Sequence, residues 1–359
     1  MKVLCNVDNL TEITGTEAKT GTNQNSPVGQ KSGTTSLSAA YEVQVSVCIP
    51  NWNCRNYLRN CLISLRENLG ETSFEVIVVD NGSRDGAVEM VRDEFPEVKL
   101  IQNAKNVGFA RASNQAAEAA RGKYLFFLNN DTILPPETIG SLYEFAELHP
   151  VVGMFGPKLI DGSGHTQISY RQKPSVVALL HRTSIFRWTG LLKRLYYRYR
   201  REQFNPEVIR EVECLMGAAI FMRRSIFNMT GRWDEDFTFG GEDIEFSTRV
   251  NKYFRLYYVP SIAITHFGRV GSRQNVTFSA PKVIVGYLQY FRKTGISPLS
   301  IFLYKIVVTL ETPIHLLTKF AQYLYRKLTF RNQDAEKSLL IVRGLWAFLT
   351  RDLFLFWRT

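Results

Sequence analysis

Apolar runs alternating with helical segments constrain this chain more than any other feature. VQVSVCIP stops at Pro50, FEVIVVD at Asp80, and KYLFFL at Leu128, with the shorter VKLIQN between the last two. CRNYLRNCLISLRENL separates the first pair and sets Cys54, Leu58, Cys61, Leu62, Leu65 and Leu69 on one helical stripe. GAVEMVRDEF and the Ala-rich FARASNQAAEAAR read as further helices, and Pro136 is placed to open another, PETIGSLYEFAELH. Strands and helices at this spacing predict βαβ units and a parallel sheet. Runs that are apolar on both faces predict strands covered on both sides.

Such sheets bind ligands at the carboxyl ends of their strands. Three of the runs end in polar residues there: Asn51 and Asn53, then Asp80, then Asn129, Asn130 and Asp131. A single ending of this kind is ordinary turn chemistry, because Asn and Asp make Asx-turns. Three on one rim point to a site.

The net charge of +11 suits an anionic partner: nucleic acid, a nucleotide or an anionic membrane face. No nucleic-acid recognition motif is present, so no nucleic-acid partner is expected. The five cysteines show no CxxC spacing and read as reduced, intracellular thiols. MKVLCNVDNLTEITG lacks an apolar signal core, and no window reaches the roughly 18 consecutive apolar residues of a spanning helix. Neither secretion nor a membrane span is expected.

Residues 1–42 are rich in Thr, Ser, Gly and Asn and predict a disordered tail. Residues 182–201 hold seven Arg or Lys and no acid, interleaved with Phe186, Trp188, Tyr196, Tyr197 and Tyr199. VECLMGAAIFMRR predicts a strand around Gly217. Gly240-Gly241 predicts a mobile turn. Glu242-Asp243 should open a helix, where the dipole alone would favour carboxylates. From Pro281 onward, twelve basic residues face four acids, so this segment holds +8 of the net charge. Its basic amphipathic helices, with Pro313 expected to break or kink one of them, suit a membrane interface or a helical cap on the domain before it, and the two are compatible.

VSVCIPNWN, VIVVDNGSRDG, NVGFARASNQA, YLFFLNNDT, GAAIFMRRSIF, GRWDEDF, GGEDIEFSTRV and ITHFGRVGS follow one another in an order and spacing that resembles the inverting family 2 glycosyltransferases of GT-A fold. Within these, the chain is most similar to bacterial rhamnosyltransferase-like enzymes of surface polysaccharide synthesis. The resemblance runs from about Val43 to Arg273. It implies an α/β, GT-A architecture over 43–280, a Rossmann-like nucleotide-binding mixed sheet flanked by helices, followed by a basic, amphipathic helical extension over 281–359.

The resemblance also implies a site. Pro50 and Trp52 would line the nucleobase and Asp80 would hydrogen-bond it. Arg111 would approach the donor phosphates. Asn129 stands where the family's Asp-x-Asp motif often has its first acid, Asn130 follows it, and Asp131 matches the second. Asp131 and His266 would hold a divalent cation, Mn²⁺ or Mg²⁺, that bridges the diphosphate. Asp243 matches the catalytic base, with Glu242 and Glu245 its most easily confused neighbours. Trp233, Asp234, Glu235 and Glu242 fall near the acceptor. The implied activity is metal-dependent transfer of rhamnose from dTDP-rhamnose to a hydroxyl of a lipid-linked or growing polysaccharide. A UDP-hexose donor, or a non-catalytic nucleotide-sugar-binding protein, are the alternatives. The implied partners are a nucleotide-sugar, a glycan or polyprenyl-diphosphate-linked acceptor and an anionic membrane surface. The implied location is cytoplasmic, peripheral on the inner face of the plasma membrane.

Overall fold

Nine strands make the main sheet of the computed structural model, which describes residues 43–68, 70–200, 205–268 and 276–359. The tail expected over 1–42 lies outside the described residues. The strands are β1 (Val45–Asn51), β2 (Phe74–Asp80), β3 (Lys99–Gln102), β4 (Tyr124–Leu128), β5 (Thr132–Ile133), β6 (Val152–Ile160), β8 (Arg210–Val212), β10 (Ala219–Arg223) and β11 (Arg255–His266). Their order is β3-β2-β1-β4-β10-β6-β11-β5, with β8 added on β11. β7 (Tyr170–Arg171) and β9 (Cys214–Leu215) form a separate ribbon.

β1 to β4 are parallel, as the alternation predicted. Beyond them the sheet is mixed, because β10 enters antiparallel between β4 and β6. The single strand expected around Gly217 is two strands, β9 and β10, with Gly217 in the turn that separates them. β10 is entered from β9 through that turn, with no helix between them.

β4 is buried over its whole length. Phe127 packs against Phe227 and Trp233, with ring centroids 5.1 and 5.3 Å away. Helix Arg55–Arg66 buries the predicted stripe from Leu58 to Leu65. Pro136 does not open the next helix. It lies in a turn, Glu137 takes a left-handed φ of 64°, and the helix is Thr138–Leu148. The Thr138 hydroxyl donates to the Pro135 carbonyl and Ile139 N–H to Asn68 Oδ1, so partners outside the helix satisfy its first turn.

The C-terminal part is helical: Val276–Lys293, Pro298–Leu328, Asn332–Ala347 and Leu353–Arg358. The boundary expected between residues 280 and 281 falls inside the first of these. Leu288 and Phe291 of that helix join Phe237 and Ile244 in one apolar cluster. Pro298–Leu328 runs through Pro313 unbroken, where the Thr312 hydroxyl donates to the Val308 carbonyl. By length and composition this helix could cross a membrane, contrary to expectation, although Lys305, Glu311 and Lys319 interrupt any continuous apolar run. Only 28% of its apolar window is buried, which distinguishes it from a core helix.

Candidate active site

The strand register brings the polar tips together. Asn51 lies beside Asp80 across β1 and β2, and its Nδ2 donates to Asp80 Oδ1 at 2.9 Å. Asn130 Nδ2 donates to Asn51 Oδ1 at 2.7 Å. Ser83 N–H closes the other side of Asp80, reaching Oδ2 at 2.8 Å. Three strand ends thus share one network, buried at Asn51 and Asp80 and half-buried at Asn130, and the Asx-turn chemistry is part of it. Each carboxylate oxygen keeps a lone pair for a ligand donor. Pro50, one residue before the end of β1, is partly buried. Trp52 meets Phe278 edge-on, centroids 5.4 Å apart. Phe278 belongs to helix Val276–Lys293, so a C-terminal aromatic that sequence reasoning missed covers this edge of the rim.

Arg111 is exposed on helix Phe109–Ala119, its Nε 3.9 Å from Glu235 Oε2. Gly108 precedes that helix with φ +91°, and a Cβ there would come within 2.7 Å of the Thr238 carbonyl oxygen. The donor-side loop and the segment bearing Glu235 are therefore in close backbone contact.

Pairing of β5 with the end of β11 sets His266 beside Thr132. His266 Nε2 then lies 3.3 Å from Asp131 Oδ1 and 3.4 Å from Asn129 Nδ2. Both the imidazole and the carboxylate are buried. Their separation suits neighbouring positions around a small divalent cation, whose ligands sit about 2.0–2.2 Å from the metal. Among the described residues no group of three or more His, Cys, Asp or Glu could hold a metal. The pair therefore fits a cation that takes the rest of its shell from substrate phosphates and water, as Mg²⁺ commonly does. Gln167 also touches His266, with Oε1 2.9 Å from Nδ1. Nothing in HTQIS marks it; only the packing of the segment after β6 against β11 brings it there.

A second corner forms around helix Glu242–Val250. Arg171 Nη2 donates to Asp243 Oδ2 at 2.7 Å in a largely buried ion pair. Ile244 N–H donates to Asp243 Oδ1, and a Cβ on Gly217 would sit 3.3 Å from Asp243 Cβ. Arg171 also reaches the hydroxyls of Tyr199 and Tyr287 at 3.3 and 3.5 Å, and those hydroxyls are 3.1 Å apart. Tyr199 comes from the basic aromatic stretch and Tyr287 from the C-terminal helices, so both regions support Asp243. Glu242 is buried with Oε2 unpartnered. Burial, then the charge of Asp243, pushes its carboxyl up to about 8. Glu245 is committed to Arg249 at 2.7 Å. The Gly240-Gly241 turn, expected to be mobile, is pinned: a Cβ on Gly286 would lie 1.7 Å from the Gly240 carbonyl oxygen.

The two corners adjoin. Asn129 N–H donates to the Ala218 carbonyl, and the next residue back, Gly217, is the one that approaches Asp243. On the acceptor side the expectations change. Trp233 is 2% exposed and packs on Phe246, Phe109 and Phe127; it belongs to the core because the indole is the large apolar group in its loop. Asp234 pairs with Lys293, tying its loop to the C-terminal helices. Glu235 accepts from Asn114 Nδ2 at 2.9 Å and faces Arg111.

Comparison with known proteins agrees with this architecture. The family model Glycosyl transferase family 2 matches residues 46–229, just over half of the chain, ending before Asp243 and His266. An N-acetylglucosaminyl-diphospho-decaprenol L-rhamnosyltransferase of Mycobacterium tuberculosis is 29% identical over 209 residues, 55% of this chain and 67% of the relative. The uncharacterized glycosyltransferase YfnE of Bacillus subtilis is 34% identical over 122 residues, 33% of this chain and 31% of its own. A solved structure of GalNAc-T7 with UDP, GalNAc and Mn²⁺ shares the fold at a TM-score of 0.52 and 18% identity, over 70% of this chain and 48% of the other.

Proposed function

We propose that this chain, which belongs to glycosyl transferase family 2, moves rhamnose from dTDP-rhamnose, with inversion, to a hydroxyl of a lipid-linked or growing polysaccharide. The observation that carries the reading is the paired Asp131 and His266 at the tip of β4, adjoining the corner that holds Asp243. The activity named for the Mycobacterium tuberculosis relative supports both the sugar and a diphosphate-linked lipid acceptor. A bound divalent cation would supply Lewis-acid stabilisation to the departing diphosphate. Asp131 and His266 hold that cation, and Asn129 adds an amide but no charge. Asp80, Asn51 and Asn130 hold the nucleoside, with Pro50 and Trp52 along its base, and Arg111 attends the phosphates. Asp243 takes the proton of the attacking hydroxyl, while Arg171 and the Ile244 N–H orient its carboxylate.

The C-terminal helices support a peripheral membrane location on the cytoplasmic face. Helix Pro298–Leu328 leaves Leu299, Leu303, Leu310, Ile314, Leu317 and Leu324 exposed at three- to seven-residue intervals, which is one face of a helix. Lys305, Lys319 and Lys327 lie off that face, the pattern of an interfacial helix on anionic lipid.

The test is nucleoside diphosphate release from a panel of nucleotide sugars, with Mn²⁺ and isolated membranes as acceptor source. The expected result is metal-dependent release from dTDP-rhamnose that Asp131→Asn abolishes. Metal-dependent turnover that survives this substitution would refute the reading of the strand tip.

A further inference from the structure

We infer that Gln167 is a positioning residue that fixes the tautomer of His266, keeping Nε2 unprotonated beside Asp131. The inference deepens the metal reading proposed above and rests on it for its purpose, though not for its geometry.

A chain of forced choices leads to it. Gln167 Nε2 lies 2.6 Å from the His266 carbonyl oxygen. A carbonyl only accepts, so the amide end that faces it is the NH₂. The amide oxygen is thereby directed to the ring, 2.9 Å from Nδ1. That oxygen also only accepts, so Nδ1 carries the hydrogen. In the neutral ring Nε2 is then unprotonated, facing Asp131 Oδ1 at 3.3 Å and within 3.4 Å of the Asn129 amide nitrogen, which can donate to it and favours the same tautomer.

The surroundings hold Gln167 in this pose. Its backbone N–H donates to the Leu159 carbonyl at 2.8 Å, on β6 beside β11. A Cβ on Gly268 would come within 3.3 Å of Gln167 Nε2, so glycine leaves the space that the amide fills.

The alternative tautomer explains why a clamp is useful. With the hydrogen on Nε2, His266 would donate to Asp131. That satisfied His–Asp hydrogen bond would compete with a cation for both groups. Gln167 removes the competitor before any cation arrives. Outer partners of metal-binding histidines act in this way, and losing one typically costs 10–100-fold in metal affinity.

The first measurement reads the ring directly. In metal-free protein labelled with ¹⁵N-histidine, imidazole NMR should show His266, assigned by its loss in His266→Gln, as the Nδ1–H form. Gln167→Leu should shift it towards Nε2–H. Gln167→Glu keeps an acceptor for Nδ1, though it loses the donor to the His266 carbonyl, and should retain Nδ1–H; an unchanged melting temperature in Gln167→Leu controls for a folding defect. The second measurement is Mn²⁺ affinity in the presence of dTDP, expected to fall about 10–100-fold in Gln167→Leu and much less in Gln167→Glu. An Nε2–H ring in the wild type overturns the inference, as does a Gln167→Leu protein whose tautomer and Mn²⁺ affinity are both unchanged. A wild-type ring in the Nδ1–H form that depends on Gln167, in a protein that binds no Mn²⁺, upholds the clamp and overturns the metal reading instead.

Discussion

The donor rim and the corner around Asp243 are both polar and buried, yet they are assembled in opposite ways. The rim is a run of neighbours. Asn51, Asp80 and Asn130 end adjacent strands, and short hydrogen bonds join them across the sheet. The corner is a convergence. Asp243 meets Arg171 and Gly217, and Arg171 in turn meets Tyr199 and Tyr287, so four other stretches of the chain converge there. The network of Asn51, Asp80 and Asn130 needs only the parallel half of the sheet, and the C-terminal helix Val276–Lys293 touches the rim only where Phe278 meets Trp52. The corner needs that helix to be seated through Tyr287. Damage to the helix away from Phe278 should therefore impair transfer more than donor binding.

Asp243→Asn is the sharpest cut and carries the largest expected effect. The amide keeps the shape of the side chain but cannot take a proton, so turnover should fall about 10²–10⁴-fold. Donor affinity at the rim, measured by calorimetry, should stay within a few-fold of wild type. Turnover retained within tenfold would remove Asp243 from the mechanism and leave the corner as a structural ion pair.

Gly286→Ala tests the dependence on the C-terminal helix. The added Cβ would lie 1.7 Å from a carbonyl oxygen of the Gly240-Gly241 turn. Both groups are backbone-fixed, so no rotamer relieves the clash and the helix must lift. Overpacking of this kind costs about 1–3 kcal/mol, readable as a lower denaturation midpoint. Turnover should fall further than donor affinity, because the turn leads directly into Glu242 and Asp243. Equal losses in both would show that the corner and the rim are not separable.

The same contrast explains what the sequence revealed. Asn51, Asp80 and Asn129 to Asp131 each follow an apolar run directly, so one period and one stop signal identify them. The parallel order of β1 to β4 was legible for the same reason. Arg171, Tyr199, Tyr287, Gln167 and Phe278 carry no local signal, since each has a partner at least 72 residues away. Trp233 was assigned to the acceptor side because GRWDEDF resembles a family block that lies near the acceptor. The alternation within that loop instead turns the indole inward and the acids outward, which composition does not display. The Gly240-Gly241 turn was expected to move because glycines are permissive. Here their missing side chains admit Gly286.

The smallest expected effect is a slope and concerns Glu242. Burial first, and then the charge on Asp243, raises its carboxyl from 4.5 to about 8. Between those values the folded protein holds a proton that the unfolded chain has released. Stability therefore falls as pH rises through that interval, since the native state then binds more protons than the unfolded state. The contribution is fully present below about pH 4.5 and lost once pH passes about 8. Glu242→Gln removes the titration while keeping the shape of the side chain. Its melting temperature minus that of the wild type should increase from pH 5 to pH 8 and level off above. A difference that stays flat across that range would mean that Glu242 is solvated or paired in solution.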